Sequence, residues 1–191
     1  MNPNPVKMTP QEFLAFERAS DEKHEYRDGE IVAMSGAKRN HNKIVANLIG
    51  LLWQHFRNKS CEFYSNEMRV FVPKTRLYTY PDVVAICDEP EFQDSVPDTL
   101  LNPLLLIEVL SDSTELYDRG GKSQNYRSID SLQEYVLVSQ NEPRVEKYEK
   151  HGDGFWLLSE AIGLEAEIVF PSIDLTVSLK EVYEKVNFSN E

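Results

Sequence analysis

Cysteine is scarce in this chain of 191 residues, which contains only Cys61 and Cys87 and no CxxC pair. Disulfide frameworks and zinc sites need more cysteines or a closer spacing, so we expect neither of them. Long apolar runs are also missing: none approaches the ~20 residues of a membrane helix, and the N-terminus lacks the apolar core of a secretory signal. These absences predict a protein of the reducing cytoplasm that has no membrane partner.

Positive charge is in short supply, because 20 Lys and Arg stand against 32 Asp and Glu, for a net charge of −12. This balance counts against a protein that coats nucleic acid by charge alone, since phosphate contacts require Lys and Arg. The balance is compatible with a local basic cleft, and with clustered carboxylates that bind a divalent cation. The length suits one domain over 1–191, with a loose arm at 1–8 and a tail at 187–191.

Local signals place the helices and strands. Thr9 begins a capping box, Asp28-Gly29 is a type I′ turn signal, and Asn40 is a cap for an amphipathic helix that has Trp53 in its apolar stripe. The predicted order is helix 9–19, hairpin 24–34, helix 41–56, strands 62–72, 80–86 and 104–110, helix 112–128, strands 134–139, 144–150, 155–158 and 167–170, and helix 179–186.

Two of these strands, 80–86 and 104–110, are continuous apolar runs, as expected of central strands that are covered on both faces. The pattern changes from helical to extended before them and back to helical after them. It therefore predicts an α/β fold, with a central mixed β-sheet flanked by the helices over 41–56 and 112–128.

Two carboxylates interrupt these apolar strands: Asp82 follows Pro81, and Glu108 lies within LLLIEVL. A lone carboxylate in an apolar strand costs several kcal/mol unless it is paired or bound to a metal. Taken singly, each could be a strand-end residue that is exposed to water or paired with an arginine. Taken together on neighbouring central strands, they favour a site in which both side chains share one cation.

The spacing of these carboxylates resembles the PD-(D/E)xK nucleases, in which PD is followed by E-x-K on an adjacent strand. Pro81-Asp82 and Glu108 match this pattern, but Leu110 stands where the lysine is expected. Some branches of that superfamily carry the lysine on the following helix, which implies that Lys122 takes its place. An ion pair with Asp118, one turn earlier, is the alternative role for Lys122.

A longer motif narrows the resemblance to one family. The segment E-V-L-S-x-S-T begins at Glu108, and Asp118, Lys122 and Tyr126 follow it at four-residue steps, so these three lie on one helix face. With the downstream EYVLV and the upstream H-E-x-x-x-G-E and R-N-H, the chain is similar to the Uma-two family of restriction-endonuclease-like proteins. The resemblance covers roughly residues 9 to 186.

The resemblance implies a restriction-endonuclease-like core and metal-dependent hydrolysis of DNA phosphodiester bonds. Asp82, Glu108 and the carbonyl of Val109 would hold Mg²⁺ or Mn²⁺, and Lys122 would orient water or stabilise developing charge. The alternative is a weak or inactive member of the fold that acts as a binding module. If Lys122 is catalytic, we expect Lys122→Ala to remove cleavage with little change in stability.

Three further residues are supporting candidates. Glu25 resembles a recurring family position and could join the metal shell, position Lys122 or form a cross-strand polar pair. His41 lies at a helix N-terminus, where it could meet a phosphate or remain solvated beside the cap. Tyr126 could hydrogen-bond near the site or serve only in packing.

The predicted assembly is a homodimer, because cutting a duplex requires two strand cuts and one site cuts one strand. The segment 144–150 and the aromatic residues Phe155 and Trp156 could form a two-fold contact. The alternative is that these residues simply close the sheet.

Overall fold

The architecture rests on three β-sheets. The computed structural model describes residues 7–189, so most of the predicted arm and the last two residues of the tail lie outside the described residues. The strands are β1 (His24–Arg27), β2 (Glu30–Ala33), β3 (Glu62–Ser65), β4 (Arg69–Val72), β5 (Leu77–Thr79), β6 (Val83–Ile86), β7 (Thr99–Leu100), β8 (Leu105–Leu110), β9 (Glu134–Ser139), β10 (Arg144–Lys150), β11 (Trp156–Ile162), β12 (Glu167–Phe170) and β13 (Leu175–Ser178).

Helices pack against these sheets. They are α1 (Pro10–Ala19), α2 (Arg39–Phe56), α3 (Glu115–Tyr117), α4 (Ser123–Tyr126) and α5 (Leu179–Val182), with a π-helical turn over Asp118–Lys122 between α3 and α4 and a 3-10 turn over Pro171–Ile173. No helix among residues 7–189 combines the length and the apolar composition that crossing a bilayer requires.

The largest sheet is mixed and lies at the centre of the molecule. Its six strands run in the order β11-β10-β9-β8-β6-β3, and only the β8–β9 pair is parallel. The α2 residues Ile44, Leu48 and Leu52 cover one face, and Tyr126 and Ile129 cover the other. The predicted α/β fold, with a central mixed sheet between two helical segments, is therefore confirmed.

A second sheet carries the N-terminal elements, in the order β2-β1-β5-β4-β7. Helix α1 begins with the predicted capping box at Thr9 and packs Phe13 onto this sheet. The β1–β2 hairpin turns at Asp28 and Gly29, whose φ angles of 46° and 105° fit the type I′ turn that the sequence predicts.

The predicted strand over 62–72 is in fact two strands that belong to different sheets. Strand β3 pairs with β6 in the central sheet, whereas β4 pairs with β5 in the second sheet. A turn closed by the Met68 amide and the Ser65 carbonyl separates them, at 3.1 Å. Three consecutive polar residues, Ser65 to Glu67, mark this turn in the sequence, but apolar residues resume at Met68, so the prediction joined the two strands into one.

Two predictions about α2 are also wrong. The helix begins at Arg39 rather than His41, so Asn40 lies inside it and its side chain donates to the Asn187 carbonyl at 2.9 Å. Trp53 is 59% exposed, because the buried stripe follows four-residue steps through Leu52 and the next residue points about 100° away from it.

Cys61 and Cys87 form a disulfide, although the scarcity of cysteine predicted no disulfide framework. The pairing follows from the register of β3 with β6, in which Glu62 lies opposite Ile86. The two cysteines are the next residues along these antiparallel strands, so their Cα atoms are 4.0 Å apart. The prediction that this protein is cytoplasmic rested partly on the expected absence of a disulfide, so it loses that support.

Candidate active site

Strand pairing brings the two predicted carboxylates together. In the antiparallel register of β6 with β8, Val83 lies opposite Ile107, so Asp82 and Glu108 are the next residues to face each other. Both are buried, yet both line a cleft of about 720 Å³ between the central sheet, the β1–β2 hairpin and the 111–122 region. The adjacency that the sequence predicted is present in the fold.

Asp82 is held by two nitrogen donors. Its Oδ2 atom accepts a hydrogen bond from the Val109 amide at 2.7 Å and lies 3.1 Å from Nε2 of His41. A carboxylate can only accept, so Nε2 of His41 carries the hydrogen. No described residue donates to Oδ1, which leaves that atom as the free oxygen of a fixed carboxylate.

Glu108 is held by a tyrosine hydroxyl and a lysine ammonium. The Tyr126 hydroxyl donates to Oε1 of Glu108 at 2.8 Å and lies 3.3 Å from the Thr79 hydroxyl. The Lys122 ammonium is 3.2 Å from the same Oε1 atom. Tyr126, which the sequence left between packing and hydrogen bonding, does both, because its ring is fully buried in the core.

Lys122 reaches into the cleft from the π-helical turn and meets three carboxylates. Its Nζ atom lies 3.3 Å from Glu25, 3.2 Å from Glu108 and 3.0 Å from Asp118. The ion pair with Asp118 that stood as an alternative role is therefore present, but it is buried rather than superficial. The lysine belongs to the carboxylate cluster through all three contacts.

The π-helical turn contains two glycines, Gly120 and Gly121, between Asp118 and Lys122. Such turns are frequent at functional sites, because the extra residue re-aims the side chains that flank it. A Cβ atom at Gly121 would lie 3.2 Å from the Tyr117 ring, whereas a Cβ at Gly120 would meet nothing within 4 Å. The absence of a side chain at Gly121 therefore lets the turn pack closely on that ring.

Burial and charge oppose each other at this cluster. Burial raises the pKa of Glu108, and Asp118 and Asp82 raise it further, so that it reaches about 8 despite the opposing charge of Lys122. Burial alone would lower the pKa of Lys122, but the carboxylates of Glu108, Glu25 and Asp118 reverse this and raise it well above its usual value. The lysine is charged at neutral pH.

Glu25 connects Lys122 to the second sheet. Burial alone would raise the pKa of Glu25, but Lys122, Thr79 and Arg27 together lower it below its ordinary value. Its Oε1 accepts from the Thr79 hydroxyl at 2.6 Å, and its Oε2 accepts from the Arg27 guanidinium at 2.6 Å. Of the roles that the sequence left open, this geometry favours positioning of Lys122.

The donors at this site fit a hard divalent cation that is only partly enclosed by protein. Among the described residues, no three His, Cys, Asp or Glu side chains converge as a complete metal shell. Mg²⁺ does not need one, because it is usually held by one or two carboxylates together with waters and substrate phosphates. Asp82, Glu108 and the Val109 carbonyl provide oxygen donors of that kind.

A family model decides the relationship of this chain to known proteins. The model of the Uma2 family, described as "Putative restriction endonuclease", matches residues 10–179. The chain belongs to the Uma2 family. The resemblance drawn from the sequence motifs is thereby confirmed.

Curated relatives extend this membership over nearly the whole chain. The protein sll1609 of Synechocystis sp. is 41% identical over 163 residues, which is 85% of this chain and 92% of the relative. The protein slr1290 of the same organism is 36% identical over 182 residues, which is 95% of this chain and 94% of the relative. Both carry the description "Uncharacterized protein".

A solved structure shares the Uma2 fold seen here. It is the crystal structure of a "putative nuclease belonging to DUF820" from Anabaena variabilis, with a TM-score of 0.74 and 18% sequence identity. The match covers 92% of this chain and 97% of the other. At this identity the comparison establishes the fold, and the roles of individual side chains rest on the geometry of the cleft.

Two residues of the site in this Uma2 protein were not predicted from the sequence. They are Arg27 and Thr79, and both donate hydrogen bonds to Glu25. A signal for Arg27 was available, because residues at i and i+2 of a strand share a face. Lys147 is also a buried lysine, but it pairs with Glu134 at 3.3 Å and does not line the cleft.

Proposed function

We propose that this Uma2 protein is a metal-dependent endonuclease that hydrolyses DNA phosphodiester bonds at Asp82, Glu108 and Lys122. The observation that carries the proposal is the placement of two buried carboxylates beside a buried lysine in one open cleft. Buried charges are costly and cluster at functional sites. Membership of a family described as restriction endonuclease supports DNA as the substrate.

Each protein group has a distinct part in this reaction. Asp82 and Glu108, with the Val109 carbonyl, would hold Mg²⁺ or Mn²⁺, and the ion supplies Lewis-acid activation of the phosphoryl group and of water. Lys122 donates hydrogen bonds that orient the attacking water or stabilise charge on the phosphoryl oxygens. Water attacks phosphorus directly while a P–O ester bond breaks, and the leaving oxygen takes up a proton, with no covalent enzyme intermediate.

The supporting residues act through these groups. The His41 imidazole and the Val109 amide both hold Oδ2 of Asp82, which leaves Oδ1 of a fixed carboxylate for the metal. Tyr126 performs the same task for Glu108. Ligands that are oriented in this way bind metal more tightly, because they lose less freedom on binding.

Assembly as a homodimer is part of the proposal, but its surface differs from the one that the sequence suggested. The strand over 144–150 is β10, which is paired on both sides by β9 and β11. Strand β11 forms the edge of the sheet and exposes Leu157, Leu158 and Ile162. An apolar edge strand of this kind favours pairing with its own copy, and light scattering that shows only monomer would contradict it.

Relaxation of supercoiled plasmid DNA tests the proposed activity. We expect the purified protein to nick the plasmid in Mg²⁺ or Mn²⁺ and to do nothing in EDTA. Asp82→Asn should abolish nicking, whereas Asp130→Asn, at a residue whose side chain is 95% exposed, should not. DNA binding without nicking in any cation would favour the alternative, a binding module built on the nuclease fold.

A further inference from the structure

Arg27 stands out on the wall of the cleft because its guanidinium is fixed in place but not fully used. Its Nε and Nη2 atoms donate to Oε2 of Glu25 at 3.1 and 2.6 Å. Its guanidinium carbon lies 3.9 Å above the centre of the Tyr117 ring. The side chain is 36% exposed, and no described residue accepts a hydrogen bond from Nη1.

The cleft would otherwise repel a polyanion. Its Asp, Glu, Lys and Arg side chains are five carboxylates against three cations: Glu22, Glu25, Asp82, Glu108 and Asp118 against Lys23, Arg27 and Lys122. A phosphodiester backbone is attracted by Lys and Arg. Its approach to this cleft therefore needs at least one cation that is accessible and correctly oriented, in addition to any bound metal.

The other two cationic side chains of the cleft are already engaged. Lys122 is buried among three carboxylates. Lys23 donates to Glu67 at 2.7 Å and to the Asn66 carbonyl at 3.1 Å. Arg27 combines accessibility, a free N–H group and a fixed plane, and a planar guanidinium is well suited to phosphate oxygens.

We infer that Arg27 binds a phosphate of the substrate backbone next to the phosphate that is cleaved. Tyr117 supports the plane of the guanidinium and Glu25 accepts only from Nε and Nη2, so Nη1 stays available to a phosphate oxygen. Because the same Glu25 carboxylate also contacts Lys122, the arginine and the lysine are held in one rigid set. This inference rests on the proposed nuclease function and adds a substrate-binding residue to it.

The test compares two arginines with the same substitution. Arg27→Gln removes the charge but keeps an N–H group that can donate to Glu25. Arg57→Gln is the control, because Arg57 lies at the far end of α2, roughly 24 Å along the helix from His41, and does not line the cleft. Arg27→Lys keeps the charge and guards against a folding defect, and thermal unfolding is recorded for all variants.

The measurement is the fluorescence anisotropy of a labelled 20-base-pair duplex in Ca²⁺ at increasing KCl, with the integrity of the DNA checked on a gel. Each phosphate contact contributes about 0.9 to the slope of log affinity against log salt. We expect Arg27→Gln to weaken binding about tenfold and to reduce the slope by about 1. Arg57→Gln should change neither quantity, and Arg27→Lys should keep the wild-type slope.

The outcomes separate this inference from the proposed function. A wild-type slope in Arg27→Gln, with plasmid cleavage intact in the wild type, overturns the role of Arg27 and leaves the nuclease proposal standing. A slope that depends on Arg27, in a protein that binds DNA but does not cleave it, supports the phosphate contact and contradicts the nuclease proposal. A wild-type protein that binds no DNA overturns both.

Discussion

Substitution of Lys122 by methionine should destabilise the fold strongly, in a manner that depends on pH. The change keeps the length and volume of the side chain but removes the charge. Three carboxylates within 3.3 Å of Nζ then remain buried without their cation. This expectation replaces the one drawn from the sequence, that loss of the lysine would scarcely affect stability, because the side chain is buried rather than superficial.

The size of the effect follows from these distances. At about 3.2 Å and an effective dielectric constant of about 20, each contact is worth roughly 5 kcal/mol before desolvation and the mutual repulsion of the carboxylates are subtracted. Removal of one partner from a buried ion pair typically costs about 3–5 kcal/mol. We therefore expect Lys122→Met to lower the free energy of unfolding by about 3–5 kcal/mol at pH 8.

The sign of the pH dependence is fixed by the carboxylates. Lys122 lowers the pKa values of Glu108 and Glu25 in the folded protein, so without it both values rise and the folded variant binds more protons than the unfolded chain. Its deficit should be largest at high pH and shrink as the pH falls toward 5. Urea denaturation of the wild type and the variant at pH 5, 6, 7 and 8 measures this trend.

The control is Lys74→Met, because Lys74 is exposed and forms a 3.4 Å surface pair with Asp130. Such a pair contributes about 0–1 kcal/mol. Equal, small losses of unfolding free energy in Lys122→Met and Lys74→Met at pH 8 would refute this prediction. That result would mean that the three carboxylates do not converge on the lysine in solution.

Three further predictions concern the same cleft. His41→Asn places its amide too far from Asp82 to donate to it, so calorimetry should show Mg²⁺ binding weakened about tenfold. His41→Gln should bind Mg²⁺ within about threefold of the wild type, and equal losses in the two variants would contradict the positioning role of His41. Gly121→Ala should lower the free energy of unfolding by about 1 kcal/mol because its Cβ meets a tyrosine ring, whereas Gly120→Ala should be neutral or stabilising; denaturation showing the reverse order would exclude the close approach. Burial raises the pKa of Glu108 to about 8, so below that pH Mg²⁺ must displace a proton from this carboxyl. Mg²⁺ affinity should therefore rise by up to about tenfold per pH unit until pH 8 and then level off. An Mg²⁺ affinity that does not change with pH would argue against Glu108 as a ligand.

Much of the fold was predictable because its signals are local. The capping box at Thr9, the Asp28-Gly29 turn and the continuous apolar strands around Asp82 and Glu108 each specify one structure by short-range physics. The adjacency of the two carboxylates followed from the element order, because the two central strands are neighbours in the sheet.

What the sequence did not predict depends on tertiary context. The break between β3 and β4 coincides with the polar run Ser65 to Glu67, but only the pairing of the two strands with different sheets shows that they are separate elements. The disulfide depends on the register of two strands that are separated by more than 20 residues of chain. Sequence spacing does not encode that register.

The candidate site was predicted to a similar extent. Asp82, Glu108 and Lys122 were identified by motif, and the structure brings them into one cleft. The enclosure of Lys122 by Glu25 was one of several open alternatives, and the contact of His41 with Asp82 was not anticipated. Both contacts join elements that are distant in sequence, so only the assembled sheets reveal them.

The metal-dependent nuclease site is best tested by single-turnover cleavage of a 5′-labelled DNA duplex in Mg²⁺. The assay compares Glu108→Gln with Glu134→Gln. Both glutamates are buried, but only Glu108 lines the cleft. We expect the wild type and Glu134→Gln to cleave in Mg²⁺ and not in EDTA, and Glu108→Gln to be slower by at least about a hundredfold while it remains folded. Cleavage by Glu108→Gln at the wild-type rate, or cleavage that persists in EDTA, would contradict a metal-dependent nuclease site in this cleft.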